Sequence, residues 1–169
     1  MAELISTERL QPALLDRLTD DEPRVTTESR DRRVMSMRTL RNAVLRDLSW
    51  LLNTPCRPRD DEIYEYPAVA KSVLNFGMPD MTGTTSSVAR ASRLEQQVRE
   101  AIEAYEPRIV AGTLNVKITT HGEGEVSKAR NSYSFEITGE ICPLPMPEAL
   151  YVRTEVDLET GRCELRDRA

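Results

Sequence analysis

Apolar positions repeat at a helical period through the first two-thirds of the chain and at a period of two in the last third. Met37, Leu40, Val44, Leu48, Leu51 and Leu52 form one helical stripe, with Leu45 beside it and Arg41, Arg46 and Asp47 off it. Asn53-Thr54-Pro55 ends that helix, because proline cannot continue the hydrogen-bond ladder. A second stripe, Ala91, Leu94, Val98, Ala101, Ile102 and Tyr105, begins after the hydroxyl-rich Thr84-Thr85-Ser86 and stops at Glu106-Pro107. Between them a short helix is predicted from Pro67 to Asn75, followed by the turn Gly77-Met78-Pro79-Asp80. A smaller leucine pattern, Leu10, Leu14, Leu15 and Leu18, predicts a helix from Arg9 to Thr19. The polar stretch from Thr19 to Arg33 has no apolar face and reads as an exposed linker.

After Arg108 the period changes. Val110, Leu114, Val116 and Ile118 alternate with Thr113, Asn115 and Lys117, which predicts a half-buried strand. Gly122-Glu123-Gly124-Glu125 belongs to a long flexible connection. Tyr133, Phe135, Ile137 and Ile141 alternate with Ser134, Glu136, Thr138 and Glu140 in a second strand, which Pro143-Leu144-Pro145-Met146-Pro147 breaks. Leu150, Val152, Val156 and Leu158 give a third strand with Arg153, Glu155 and Asp157 outward. Glu159-Thr160-Gly161 turns into a short last strand, Arg162 to Arg166. The order predicts an α+β fold, with N-terminal helices packed on a small, mainly antiparallel sheet formed by the C-terminal half. The expected organisation is a leucine helix and linker over residues 1–33 and a single domain over 34–169.

Composition narrows the function. A length of 169 residues suits one domain, and a net charge of −5 with a pI near 5.1 argues against binding dominated by nucleic-acid phosphates. No apolar run approaches the ~20 residues of a membrane span, and an acid at Glu3 replaces the basic start of a signal peptide. Cys56, Cys142 and Cys163 are odd in number and widely spaced, so free thiols in a reducing cytosol are expected. His121 is the only histidine and sits in a glycine-rich turn, which leaves no two-histidine metal motif and no basis for a Ser-His-Asp triad. No phosphate loop or dinucleotide fingerprint is present, and no cofactor is expected. Glu103 and Glu106, three apart on one helix face, are the one pair that could serve a glycosidase. A general acid needs an apolar pocket that keeps it protonated, and the nearby Arg108 favours the charged form of Glu106 instead.

Glu106-Pro107-Arg108 sets a carboxylate and a guanidinium on either side of a rigid corner between helix and strand. Arg108 can fork onto a carboxylate, so the corner is either an internal clasp or a docking point for a partner.

Three strings carry a resemblance. They are Leu14-Leu15-Asp16-Arg17-Leu18-Thr19-Asp20-Asp21-Glu22-Pro23, Val44-Leu45-Arg46-Asp47-Leu48-Ser49-Trp50-Leu51-Leu52-Asn53-Thr54, and Ala101-Ile102-Glu103-Ala104-Tyr105-Glu106-Pro107-Arg108. Together with Val73-Leu74-Asn75-Phe76-Gly77-Met78-Pro79-Asp80 they resemble the TssE family of type VI secretion baseplate subunits, lysozyme-like wedge proteins akin to those of contractile phage tails. The resemblance implies a structural, non-enzymatic role at the baseplate, on the cytoplasmic side of the bacterial inner membrane. It implies contacts with the wedge subunits TssF and TssG, near TssK, through Glu106, Pro107 and Arg108, and with the sheath proteins TssB and TssC through strands added to the sheet. The alternative is a muramidase-like peptidoglycan hydrolase with Glu103 or Glu106 as acid.

An open antiparallel sheet has edges that can template a partner strand, and Cys163-Glu164-Leu165-Arg166 is the candidate edge. Leu14, Leu15 and Leu18 either fold back or insert into a partner groove, the second being favoured by the reach of the linker. On this reading Arg108→Ala breaks assembly and leaves the isolated fold intact.

Overall fold

Ser36 starts the first long helix: its hydroxyl accepts the Thr39 N–H at 3.1 Å, supplying one of the acceptors a helix N-terminus lacks. The computed structural model describes residues 13–19, 23–24, 36–58, 60–80, 88–119, 132–141, 148–157 and 159–167. Within them lie α1 (Leu14–Leu18), α2 (Met37–Asn53), α3 (Pro67–Ala70) and α4 (Val88–Tyr105). The strands are β1 (Asn115–Thr119), β2 (Ser132–Ile141), β3 (Glu148–Asp157) and β4 (Cys163–Asp167). They form one antiparallel sheet in the order β1-β2-β3-β4. The fold is therefore α+β, as the periodicity predicts.

Both long helices bury their predicted stripes on one face of this sheet. Leu40, Val44, Leu48, Leu51 and Leu52 of α2 and Leu94, Val98, Ala101 and Ile102 of α4 share a core with Tyr133, Phe135, Ile137, Leu150, Val152 and Val156. α2 lies against β4 and α4 against β1, so each long helix flanks one end of the sheet.

Two predicted elements are shorter than expected, and each has a local cause. The first strand begins at Asn115 because Ala111–Thr113 form a 3₁₀ turn, with the Leu114 N–H on the Ala111 carbonyl at 3.2 Å. Val110 still donates to the Glu140 carbonyl at 2.9 Å, so the chain enters the sheet, leaves it for one turn and returns. The predicted helix from Pro67 to Asn75 splits into α3 and a 3₁₀ turn at Val73–Asn75, because the Ser72 hydroxyl accepts the Leu74 N–H and restarts the winding. A 3₁₀ turn at Glu62–Glu65, capped by Asp61, precedes it. Of the predicted helix from Arg9 to Thr19, residues 13–19 are described and contain α1, and residues 9–12 lie outside the described residues. Leu10, Leu158, His121, Cys142, Gly122–Glu125, Pro143–Pro147 and most of the Thr19–Arg33 linker lie outside the described residues.

The segment between the long helices is held by backbone and one amide. Cys56 N–H donates to the Met78 carbonyl and Met78 N–H to the Thr54 carbonyl, both at 2.8 Å, so two stretches of backbone cross closely. Asn75, 8 % exposed, accepts the Arg57 N–H at 3.0 Å and donates to the Ala70 carbonyl at 2.9 Å. Tyr105 ties the segment to α4, its hydroxyl on the Ser72 carbonyl at 3.1 Å and its ring edge-on to Phe76.

Arg41 is the main departure from the helical pattern. Read as off the stripe, it is 8 % exposed and clamps the far ends of β3 and β4 to α2. Its guanidinium forks onto Asp167 at 2.9 and 2.7 Å and reaches Glu148 and the Ala149 carbonyl, each at 2.9 Å. Those hydrogen bonds hold it further above its ordinary pKa, so the clamp keeps its charge at any accessible pH. Arg41→Ala leaves two carboxylates and a carbonyl without this partner. A loss of about 2–3 kcal/mol in chemical denaturation is expected, in the range of a hydrogen bond to a charged group.

Candidate functional site

At the end of α4 the Glu106 N–H makes the last helical bond, to the Ile102 carbonyl at 2.8 Å, and Pro107 then turns the chain. The Glu106 side chain folds back into this turn. Its Oε1 accepts the Arg108 backbone N–H at 3.2 Å and Arg108 Nε at 2.6 Å, while Oε2 accepts Arg108 Nη2. Glu106 is only 3 % exposed. Arg108 Nη2 also reaches Asp47 Oδ2 of α2 at 2.5 Å. The corner is thus an internal clasp and, through Asp47, a bolt onto α2.

The charges continue outward. Asp47 Oδ1 accepts Arg46 Nε at 2.9 Å, and Arg46 Nη1 donates to Asp16 Oδ1 of α1 at 2.5 Å. Glu106, Arg108, Asp47, Arg46 and Asp16 therefore form an alternating chain across α4, α2 and α1. Glu106 holds Arg108 above its ordinary pKa, with Asp47 adding to it. Three buried atoms along this chain, Arg108 Nη1, Arg46 Nη2 and Asp16 Oδ2, have no hydrogen-bond partner among the described residues.

This geometry changes one expectation. Arg108 is not poised free for a partner, because its Nε and Nη2 compensate a buried carboxylate. Arg108→Ala therefore cannot leave the isolated fold untouched. Pro107 itself is exposed at the tip of the corner.

The N-terminal leucines are placed by their neighbour. Asp16 pins α1 to α2, while Leu14 and Leu18 stay 72 % and 74 % exposed and Leu15 44 %. Folding back thus uses the acid of the helix and leaves its leucines facing solvent. Arg46 also lies over the half-exposed Trp50 ring, 5.1 Å from its centroid.

β4 is an edge of the sheet, as expected for Cys163 to Arg166. Cys163 is buried, Leu165 half-buried, and Glu164 and Arg166 exposed. The Asp157 N–H donates to the Arg162 carbonyl at 3.0 Å, which fixes the alternation. Glu164 and Arg166 turn their backbone groups to β3, and Cys163 and Leu165 turn theirs outward. Asn53, the last residue of α2, meets Cys163 there: its Oδ1 accepts the Cys163 N–H at 3.0 Å and its Nδ2 donates to the Cys163 carbonyl at 2.9 Å. Burial pushes the Cys163 thiol up to about 12, so it stays neutral and unreactive at physiological pH. At the opposite edge the Ile118 N–H of β1 donates to Glu95 Oε1 of α4 at 2.7 Å.

Glu103 and Glu106 do not open on a common cleft. Glu103 is exposed along a groove between α4 and the 56–79 segment, and Glu106 is closed inside the clasp. Among the described residues no group of three or more His, Cys, Asp or Glu is placed to hold a metal ion.

Asp47, Arg46, Asp16, Asn53 and Glu95 were not singled out by sequence reasoning as site residues. Ion-pair partners distant in sequence leave no periodic trace, so only contact reveals them. Arg41 did leave a trace: it stands four residues after Met37 and three before Val44, on the apolar face itself.

Compared with known proteins, residues 38–142 match the family model described as baseplate wedge protein gp25, which is more than half of the chain. The chain matches no curated protein and no solved structure. The matched region covers α2 from its second residue, α3, α4, the corner, β1 and β2.

Proposed function

Because this chain belongs to the baseplate wedge protein gp25 family, a family of structural baseplate components, we propose that it joins the wedge of a type VI secretion baseplate to the first ring of the contractile sheath. In this reading the corner at Glu106, Pro107 and Arg108 meets the wedge subunits TssF and TssG, near TssK. The β4 edge receives a strand from the sheath proteins TssB and TssC and so seeds the sheath. The work is done on the cytoplasmic face of the inner membrane. In keeping with that, no described helix is long and apolar enough to cross a membrane.

The observation that carries the sheath half is the asymmetry of the two sheet edges. Each edge is flanked by a long helix whose side chain occupies one position, Glu95 on Ile118 and Asn53 on Cys163, but the next outward-facing residue is buried on β1, where Val116 is 2 % exposed, and half-buried on β4, where Leu165 presents its N–H and C=O. Each added backbone bond is worth only about 0.5–1.5 kcal/mol net. Side-chain contacts beside the edge must therefore supply the rest.

Leu165→Pro tests this. The Leu165 N–H points away from β3, so proline there removes no bond within the sheet and the fold should stand. The variant should stay folded, losing a little stability with the Leu165 side chain that packs against the core, and should keep its co-purification with TssF and TssG while TssB–TssC binding falls at least ~10-fold. Undiminished sheath binding by a folded Leu165→Pro chain would remove β4 as the receiving edge.

A further inference from the structure

We infer that Asn53 is a register stop for the β4 edge, and that the groove beside it selects a strand with apolar residues on one face and acids on the other. The inference rests on strand addition at β4 and specifies what kind of strand fits. The Asn53 amide offers Cys163 one acceptor and one donor, at 3.0 and 2.9 Å, as the backbone of a paired residue would. An incoming strand therefore finds Cys163 already paired, and Leu165 is the first position where N–H and C=O are available. Asn53 is fixed in turn by its place at the end of α2, where its Nδ2 also bonds the Ser49 carbonyl at 2.8 Å.

The surroundings of Leu165 give the strand its chemistry. A groove of about 640 Å³ runs between α2 and β4, with Leu45, Ser49 and Trp50 as its helical wall. A residue paired with Leu165 sends its side chain to the face Leu165 occupies, toward Leu45 and Trp50. That position takes an apolar side chain. Its neighbours on the added strand point to the opposite face, beside Arg162, Glu164 and Arg166. Those three carry a net positive charge on a chain whose total is −5. Arg46 at the groove rim is occupied by Asp16 and Asp47, and Arg166 is held only by a long, exposed pair with Glu164 at 3.9 Å, so the selection falls first to Arg162 and then to Arg166. Acids on the outer face complement them, and lysines are repelled.

A direct test fuses a ten-residue strand of alternating Val and Asp to the C-terminus of the full chain through a Gly-Ser linker. The linker holds the strand at millimolar effective concentration. A second fusion carries Lys in place of Asp. Hydrogen exchange and side-chain amide signals are then read by NMR. The Val/Asp strand should slow exchange of the Leu165 amide at least ~10-fold more than the Val/Lys strand, leaving the Asn53 side-chain signals in place. In Asn53→Ala the same strand should extend its protection to the Cys163 amide. Release of the Asn53 side-chain amide on strand addition would overturn the register stop, and equal protection by the Lys strand would overturn the acidic preference. If neither strand protects Leu165 while Leu165→Pro still loses the sheath, the inference fails and the sheath role stands. If Leu165→Pro keeps the sheath, the sheath role itself fails.

Discussion

Arg108→Ala should lower stability by about 3–5 kcal/mol, because removing one partner of a buried pair leaves the other as an uncompensated charge. Glu106 is 3 % exposed and both of its oxygens are held by Arg108, so truncation strands that carboxylate inside the fold. Asp47 loses the same guanidinium and with it the link from α4 to α2. For a chain of this size the loss corresponds to a fall in melting temperature of roughly 10 °C. Arg108→Lys should recover only part of it, since an ammonium cannot fork across Glu106 and reach Asp47 together.

Stability and docking can be separated at this corner. The double variant E106Q/R108M removes both charges of the pair, so no carboxylate is stranded there, and most of the stability should return. Co-purification of wedge subunits should stay lost, because the guanidinium of the corner is gone. Restored wedge binding by the folded double variant would mean that the corner's charges serve the fold alone.

Gly77→Ala is the second large expected effect, about 3 kcal/mol or more, read by denaturation of the purified chain. Gly77 has φ +132°, a region that side-chain-bearing residues rarely enter. A Cβ there would also collide with the Thr54 carbonyl, the group that accepts the Met78 N–H at 2.8 Å. Backbone cannot swing aside as a flexible side chain would. The crossing of residues 54–56 over 77–78 must open, taking the buried Met78 with it. Gly112, which has open space at its Cβ, is the matched control, and Gly112→Ala should cost little.

The helices and the sheet were legible in the sequence because burial on one face imposes a period on the chain. Leu94, Val98 and Ile102 must point one way, as must Tyr133, Phe135 and Ile137, and each pattern reads directly from spacing. The 3₁₀ turns at Ala111–Thr113 and Val73–Asn75 were not legible, since they come from local hydroxyl and carbonyl bonds that compete with longer elements. The corner was found from proline and charge alone, but its bolt was not. Asp47 is 61 residues from Arg108 in sequence and reads there as a solvated position on the helix. Asn53 was read as a helix terminator, which it is. Its second task, pairing with Cys163 at a separation of 110 residues, needs the fold to bring the two together.

α2 emerges as the spine of the molecule, with Asp47 bolted to the corner and Arg41 and Asn53 fastened to β4. In the proposed function its two ends serve different partners. Hydrogen exchange of the whole chain, measured alone, with TssF–TssG and with TssB–TssC, tests that most directly. Two footprints are expected: the wedge subunits slow exchange around residues 106–110 and leave β4 unchanged, and the sheath subunits slow the Leu165 amide and leave the corner unchanged. A single footprint shared by both partners, or sheath protection confined to β1, would contradict it.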